Sequence, residues 1–424
     1  MVLSTALYFS CVPEEDNVFD DSSANRIDTA LKESNDILTG AANGWLMQYY
    51  PSSTQQYGGY NMLVSFSTDG EVTVSSEIDD SGKAVTSMYT LKQSAGLVLS
   101  FNTYNTLFHF FSDPKNPAGI GTNGKGMEGD LEFLIMEISK EKVILQGRKT
   151  RNRIEMIPLA ATANWKEYID ALAEADEKMA FAACKYVAGD VSGNVSVSYR
   201  NMSITYQDGE NSVTVKVPFI VTETGYKLYE PLKLGGAVVD EFIYSSSGSS
   251  FEFTSSDGKA KLLPVPVNKQ LVAGSWYFTL SRMGSFGAPY WNELKAAYST
   301  LTDGEQLYYA YLGTQAGYGF CFASRIGTTL YKGTINYAYE LIGEGQVKFT
   351  YPDAFDSNGG WYLRNAHFSH LMKPVSENTK DASRTFTLTT NSMSNPAWIK
   401  LQDVDIPENN FTLYRQVTYY PFTK

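Results

Sequence analysis

Met62-Leu-Val-Ser-Phe66, Thr68-Asp-Gly70 and Glu71-Val-Thr-Val-Ser75 form the stretch that decides the fold. Apolar residues alternate with small polar ones on either side of an Asp-Gly turn, so the segment reads as a β-hairpin with one buried face. Upstream the period is different. Ile27, Ala30, Leu31, Ile37, Leu38 and Ala41 fall at steps of three and four, which predicts a helix from Ser23 to about Ala42 with Gly44 as its C-terminal cap. Downstream, strands are expected at Ser87–Leu91, Leu97–Phe101, Leu107–Phe111, Leu131–Ser139, Lys142–Arg148 and Ile154–Pro158. A second helix is expected from Trp165 to about Cys184, with Asn164 as cap and Glu167 completing a capping box. One helix followed by many short strands implies a barrel-like or strongly curved antiparallel sheet.

The pattern continues. After the turn Gly189-Asp-Val-Ser-Gly193, strands are expected at Val195–Tyr199, Val213–Phe219, Gly225–Tyr229, Glu241–Tyr244 and Phe251–Thr254. Lys261 to Asn268, with Pro264 and Pro266, reads as an extended connector because proline suits neither a helix interior nor a central strand. A third segment opens on Gly274-Ser-Trp276, passes through a helix near Tyr290–Leu301, and continues in strands at Leu307–Leu312, Tyr318–Ala323, Thr334–Leu341, Gln346–Thr350, Thr385–Thr389, Trp398–Leu401 and Phe411–Arg415. Its Gly-x-Trp opening and arginine close resemble the lipocalin pattern in shape. The expected fold is therefore mainly β with a few helices (α+β), in antiparallel barrel-like or curved sheets each associated with a helix. The expected divisions are 1–20 as signal and tether, 21–186, 187–269 and 270–424.

Composition narrows the function classes. The 424 residues carry a net charge of -12, and the densest basic cluster runs only from Arg148 to Arg153. A nucleic-acid surface needs clustered Lys and Arg, so no nucleic-acid partner is expected. Aromatics reach 14%, including 29 Tyr, which fits β structure first and carbohydrate or peptide binding second. No run approaches the roughly 20 apolar residues of a transmembrane helix. Cys184 and Cys321 lack metal or redox spacing; two buried free thiols are expected, with a single disulfide in an oxidising compartment as the alternative.

Motifs for catalysis are sparse. Gly119 to Lys125 matches the outline of a phosphate loop, but Gly126 stands where Ser or Thr should bind magnesium, and the stretch reads instead as a mobile glycine-rich loop from Asp113 to Gly129. Glu128, Asp130 and Glu132 alternate, so on a strand their carboxylates would share a face. Such a trio offers calcium ligands or an acid and base for glycoside cleavage; the other readings are a solvated strand edge or partners for Lys149 and Arg151 across the ladder. His109, His367 and His370 form no zinc pattern, and His367 and His370 would converge only on a helix or loop. No Gly-x-Ser-x-Gly elbow is present, so no catalytic residue, metal or cofactor is assigned.

The aromatic clusters supply the candidate ligand surface. Trp45, Tyr57 and Tyr60 lie around Gly58-Gly59; Trp361 and Tyr362 follow Gly359-Gly360; Tyr104 and His109 sit close together. Glycine lets a backbone approach a ligand, and a flat ring beside it stacks on a sugar or an apolar side chain.

The N-terminus supplies an address. Val2 to Ser10 is a short apolar stretch that ends at Cys11 and is followed by Pro13-Glu-Glu-Asp16. This resembles the surface-export signal of Bacteroidetes lipoproteins, which implies acylation of Cys11 and an outer-membrane anchor facing the cell exterior. From Cys11 to about Pro266 the chain resembles a Bacteroidetes surface lipoprotein family catalogued as a domain of unknown function. The resemblance is carried by Gly44-Trp45, Gly58-Gly-Tyr60, Phe66-Ser-Thr-Asp-Gly70, Ser100-Phe-Asn-Thr-Tyr-Asn105, Phe111-Ser-Asp-Pro114, Gly129-Asp-Leu-Glu-Phe133 and Gly147-Arg-Lys149. It implies a place in nutrient-scavenging outer-membrane systems and names no catalytic residues. The expectation is a non-enzymatic surface lipoprotein that binds glycan or peptide or scaffolds a nutrient-uptake complex. Alternatives are a glycan hydrolase using Asp130 and Glu132, and an adhesin or structural envelope protein.

Overall fold

Strands that bury one face leave unpaired edges, and a chain with this many short strands removes the problem by closing its sheets. The computed structural model describes residues 23–247, 250–298, 300–301, 304–377, 379–392 and 394–419, so Cys11 and the tether from Val12 to Asp21 lie outside the described residues. The chain divides into two units. The first comprises the chain to Gln55 with Tyr60–Asp170; the second comprises Gln56–Gly59 and Ala171–Lys424.

In the first unit, helix α1 (Ser23–Gly40) precedes β1 (Trp45–Tyr49), β2 (Tyr60–Phe66), β3 (Glu71–Ser76), β4 (Val85–Gln93) and β5 (Leu97–Phe101). Helix α2 (Thr106–Ser112) then leads to β6 (Glu132–Ile138), β7 (Val143–Gly147) and β8 (Arg153–Pro158). The eight strands pair in sequence order and close where β1 meets β8, with Met47 opposite Met156. The expected hairpin is β2–β3, Val64 facing Val74 across it. Trp45 donates its indole N–H to Leu38 O at 2.9 Å, which ties α1 to the barrel.

The expected strand at Leu107–Phe111 is instead helix α2. Asn105 accepts from the amides of Leu107 (3.0 Å) and Phe108 (3.4 Å), and this cap starts a helix where the apolar run alone looked extended. Its Leu107, Phe108 and Phe111 are fully buried, with Phe108 stacked 3.9 Å from Phe101 and Phe111 4.8 Å from Tyr49. Each ring stabilises the barrel by about 1.5–3 kcal/mol.

Helix α3 (Trp165–Met179) spans the division between the units. Asn164 caps it by accepting from the amides of Lys166 and Glu167. The helix stops five residues short of the expected end at Cys184, because there the period changes to two: Cys184, Tyr186 and Ala188 point inward from β9 (Cys184–Ala188). Seven further strands follow: β10 (Val191–Ser198), β11 (Asn201–Asp208), β12 (Asn211–Thr222), β13 (Gly225–Leu234), β14 (Ala237–Ser247), β15 (Ser250–Ser255) and β16 (Ala260–Pro264). They form a second closed eight-stranded meander, shut by β9 lying between β16 and β10. The expected connector Lys261–Asn268 is therefore mostly ordered structure. Pro264 is tolerated as the last residue of β16, and Pro266, with φ -57°, opens helix α4 (Val267–Ala273).

The remainder of the second unit forms a nine-stranded antiparallel sheet: β17 (Trp276–Met283), β18 (Gln306–Thr314), β19 (Tyr318–Ile326), β20 (Thr329–Asn336), β21 (Ala338–Ile342), β22 (Gln346–Thr350), β23 (Ser383–Thr390), β24 (Trp398–Asp403) and β25 (Asn410–Tyr414). The single strand expected over Thr334–Leu341 is split at Tyr337 into β20 and β21, which are the two edges of the sheet. Those edges do not pair, so the closed lipocalin-like barrel suggested for this segment is not formed. Helices α4, α5 (Ala288–Tyr298), α6 (Ser357–Asn365) and α7 (Ser369–Val375) cover one face, where Trp291, Leu294, Tyr362, Phe368 and Met372 share a core with Phe278, Phe320, Phe322 and Phe411. Ser394 joins this sheet to the second barrel, accepting at its carbonyl from Ala182 N (2.8 Å) and Gln270 Nε2 (3.0 Å).

Candidate functional site

Four of the seven aromatic and histidine positions expected at a ligand surface are buried and belong to the core. Trp45 is pinned to α1, Tyr60 lies 5.0 Å from the Phe111 ring, and Tyr57 meets Tyr199 edge-on at 5.5 Å. Tyr362 donates its hydroxyl to buried Glu305, which also accepts from Ser324. Their neighbouring glycines serve the chain's own packing. Gly58, at φ +65°, would place a Cβ 2.1 Å from Arg200 O, and Gly359 would place one 2.2 Å from Thr334 O. The close approach that suggested a ligand is made by another backbone segment. Tyr104 remains exposed at 68%, with its ring 4.4 Å from that of His109, and Trp361 is exposed at 44%.

The three carboxylates do not share a strand face. Glu128 sits at φ +58° in a loop, and Asp130 precedes β6 and is buried; only Glu132 lies in the strand. Asp130 accepts from the amides of Lys149 (2.7 Å) and Thr150 (3.0 Å) and from the Thr150 hydroxyl, fastening the β7–β8 turn. Glu132 pairs with Lys92 at 2.6 Å and Arg148 at 2.9 Å, and the Lys92 bond is the main reason its carboxyl is held below the usual range. The glycine-rich loop is likewise tied down: Asn116 donates to Phe110 O and accepts from Ala118 and Ile120. The rings of His367 and His370 do converge, stacked at 5.6 Å, and His370 Nδ1 lies 2.6 Å from Glu293. Cys184 and Cys321 are buried free thiols, both pushed up by burial, Cys321 to about 11.

A different aromatic group faces outward from the nine-stranded sheet. On β17 and β18 the core side carries Trp276, Phe278, Ala310 and Leu312. Alternation therefore sends Tyr277 and Tyr311 to the other side, where they are cross-strand neighbours with rings 5.1 Å apart. Leu307 also faces the core, so strict alternation would bury Tyr309. A bulge between Leu307 and Tyr309 reverses the phase and turns Tyr309 outward beside Tyr277, at 6.0 Å. Gly313 leaves room for the Tyr311 ring. Tyr419 then packs on Tyr308 at 4.8 Å, while the Arg325 guanidinium lies 4.5 Å from the centre of the same Tyr308 ring.

The result is a continuous tyrosine face. Tyr311 is buried, Tyr277, Tyr308 and Tyr309 are half-buried, and Tyr419 is half exposed. Desolvation raises the phenols of Tyr277, Tyr309 and Tyr311, so all three stay neutral hydroxyl donors at physiological pH. Flat rings with neutral hydroxyls and one guanidinium can stack on an apolar sugar face and hydrogen-bond its oxygens. The sequence signal was the run Tyr308-Tyr-Ala-Tyr311.

Two closed antiparallel barrels and a helix-covered nine-stranded sheet define a mainly β, α+β protein. The chain belongs to the family described as Domain of unknown function (DUF4302), which matches residues 15–246. That span takes in the whole first barrel and most of the second. No curated protein matches the chain. Among solved structures it is similar to the DNA polymerase III β subunit of Caulobacter crescentus, at 9% identity, covering 91% of this chain and 97% of that one with a TM-score of 0.14. It is similar also to the β chain from Streptococcus pneumoniae, at 12% identity, covering 92% and 97% with a TM-score of 0.11. Likeness at these TM-scores carries no argument about fold or function.

Proposed function

We propose that this protein is a non-catalytic, lipid-anchored binding protein of a Gram-negative outer membrane, facing the exterior, that captures glycans on the tyrosine face of its nine-stranded sheet. The observation that carries the reading is the outward array of Tyr277, Tyr308, Tyr309 and Tyr419 with Arg325. The apolar stretch ending at Cys11 with its acidic follower supports the anchor. A glycan delivered to an uptake complex must be held reversibly, and stacking supplies modest affinity without chemistry. The structural engagement of Asp130 and Glu132 weighs against the hydrolase alternative.

Binding of the purified chain to a glycan array, compared with Y277A/Y309A/Y419A, tests the reading. Each ring contributes about 0.5–1.5 kcal/mol, so the triple variant should bind about tenfold or more weakly while keeping its circular dichroism spectrum. An array without wild-type signal, or a signal the variant retains in full, overturns it.

A further inference from the structure

The second unit contains a cavity of about 550 Å³, within the size range of small-ligand sites, between the second barrel and the nine-stranded sheet. Its barrel wall is built from β9, β14, β15 and β16; its other wall includes the start of α4 and the turn between β21 and β22. Phe251, Pro264 and Pro266 give it an apolar floor, and the prolines offer no N–H to a ligand. The donors come from side chains. Lys185 enters from β9 and Lys269 from α4, and neither is ion-paired among the described residues. Ser245 and Ser246 add hydroxyls.

The acceptors are fewer. Glu252 is already held by Lys261 at 2.7 Å, and Glu344, also engaged, is the other carboxylate of the lining. Counting Lys261, three lysines face two glutamates, a locally cationic site on a chain whose net charge is -12. A neutral sugar would leave both ammonium groups without a charged partner. A carboxylate satisfies them with charge-assisted hydrogen bonds, and the apolar floor takes the C–H face of the ring.

We infer that this cavity is a binding site for acidic saccharides, uronate-sized units with one carboxylate held between Lys185 and Lys269. The inference rests on the glycan-binding reading and deepens it by naming a substrate class and a second subsite. Calorimetric titration of the full chain with glucuronate, and with glucose as the uncharged match, tests it alongside the neutral glycans of the array. The wild type should bind glucuronate in preference to glucose, and K185Q/K269Q should bind it about tenfold or more weakly while retaining neutral glycans at the tyrosine face. K185R/K269R should restore part of the affinity, which separates loss of charge from loss of folding. Equal binding of the two sugars, no binding of glucuronate, or glucuronate binding unchanged in K185Q/K269Q overturns the inference. Array binding that persists and stays sensitive to Y277A/Y309A/Y419A leaves the broader reading standing, whereas an array without signal removes that reading.

Discussion

Replacing Asp130 with Ala probes how the first barrel is fastened. The carboxylate is 5% exposed and accepts from two backbone amides, Lys149 N at 2.7 Å and Thr150 N at 3.0 Å, as well as from the Thr150 hydroxyl. Hydrogen bonds to a charged acceptor are worth about 1.5–3 kcal/mol each, and buried donors left without partners carry a comparable penalty. A water filling the vacated space recovers part of that, so the expected loss is about 3–5 kcal/mol, a large share of a typical stability of about 5–15 kcal/mol. In thermal unfolding followed by circular dichroism this is a fall of roughly 6–20 °C. Gly147 supplies an internal check, because a Cβ there would stand 2.2 Å from Asp130 Oδ2. G147A should therefore displace the same carboxylate, and D130A/G147A should cost clearly less than the sum of the single changes. A loss below about 1 kcal/mol for D130A, or strict additivity of the pair, would refute the reasoning.

Three further outcomes follow from the same structure. Cys184 and Cys321 should resist a thiol-specific reagent in the native protein and react on unfolding, since both are buried and hold their protons at neutral pH. Glu132, held below its ordinary value chiefly by Lys92 and then by Arg148, contributes stability that is present above about pH 4.3 and is lost as pH falls through its folded value. E132Q should accordingly flatten the acid limb of a stability–pH curve and change neutral-pH stability by under about 1 kcal/mol, because the side chain is 37% exposed. G58A should lower the melting temperature strongly, since its Cβ would both strain a backbone at φ +65° and meet Arg200 O at 2.1 Å; an unchanged melt contradicts the packing role given to Gly58.

Where side-chain pattern and backbone need agree, the fold was legible in the sequence. The hairpin β2–β3 shows both alternation and an Asp-Gly turn, and α3 shows its cap three residues before Glu167. Strands buried on most positions carry no such period. Trp45–Tyr49 was visible only as aromatic residues, yet it is the strand that closes the barrel against β8. Helix α2 was hidden because its start depends on one side chain, Asn105, and its four apolar residues suit either period. The ligand-surface reading failed at Trp45, Tyr57, Tyr60 and Tyr362 for a related reason. Glycine beside an aromatic signals a close approach but not whether the approaching group is a ligand or the chain itself. Conversely, no sequence rule turns Tyr309 outward, since its orientation depends on a one-residue bulge that only the β18–β19 register reveals.

The central proposal is a tyrosine face presented outside the cell by an acylated Cys11. Fluorescent glycans identified on the array should label intact bacteria exporting the full chain. Labelling should fall about tenfold or more with Y277A/Y309A/Y419A, and C11S should release the protein from the membrane fraction while its purified form still binds. Cells that label equally with all three forms, or a C11S protein that stays membrane-bound, would contradict it.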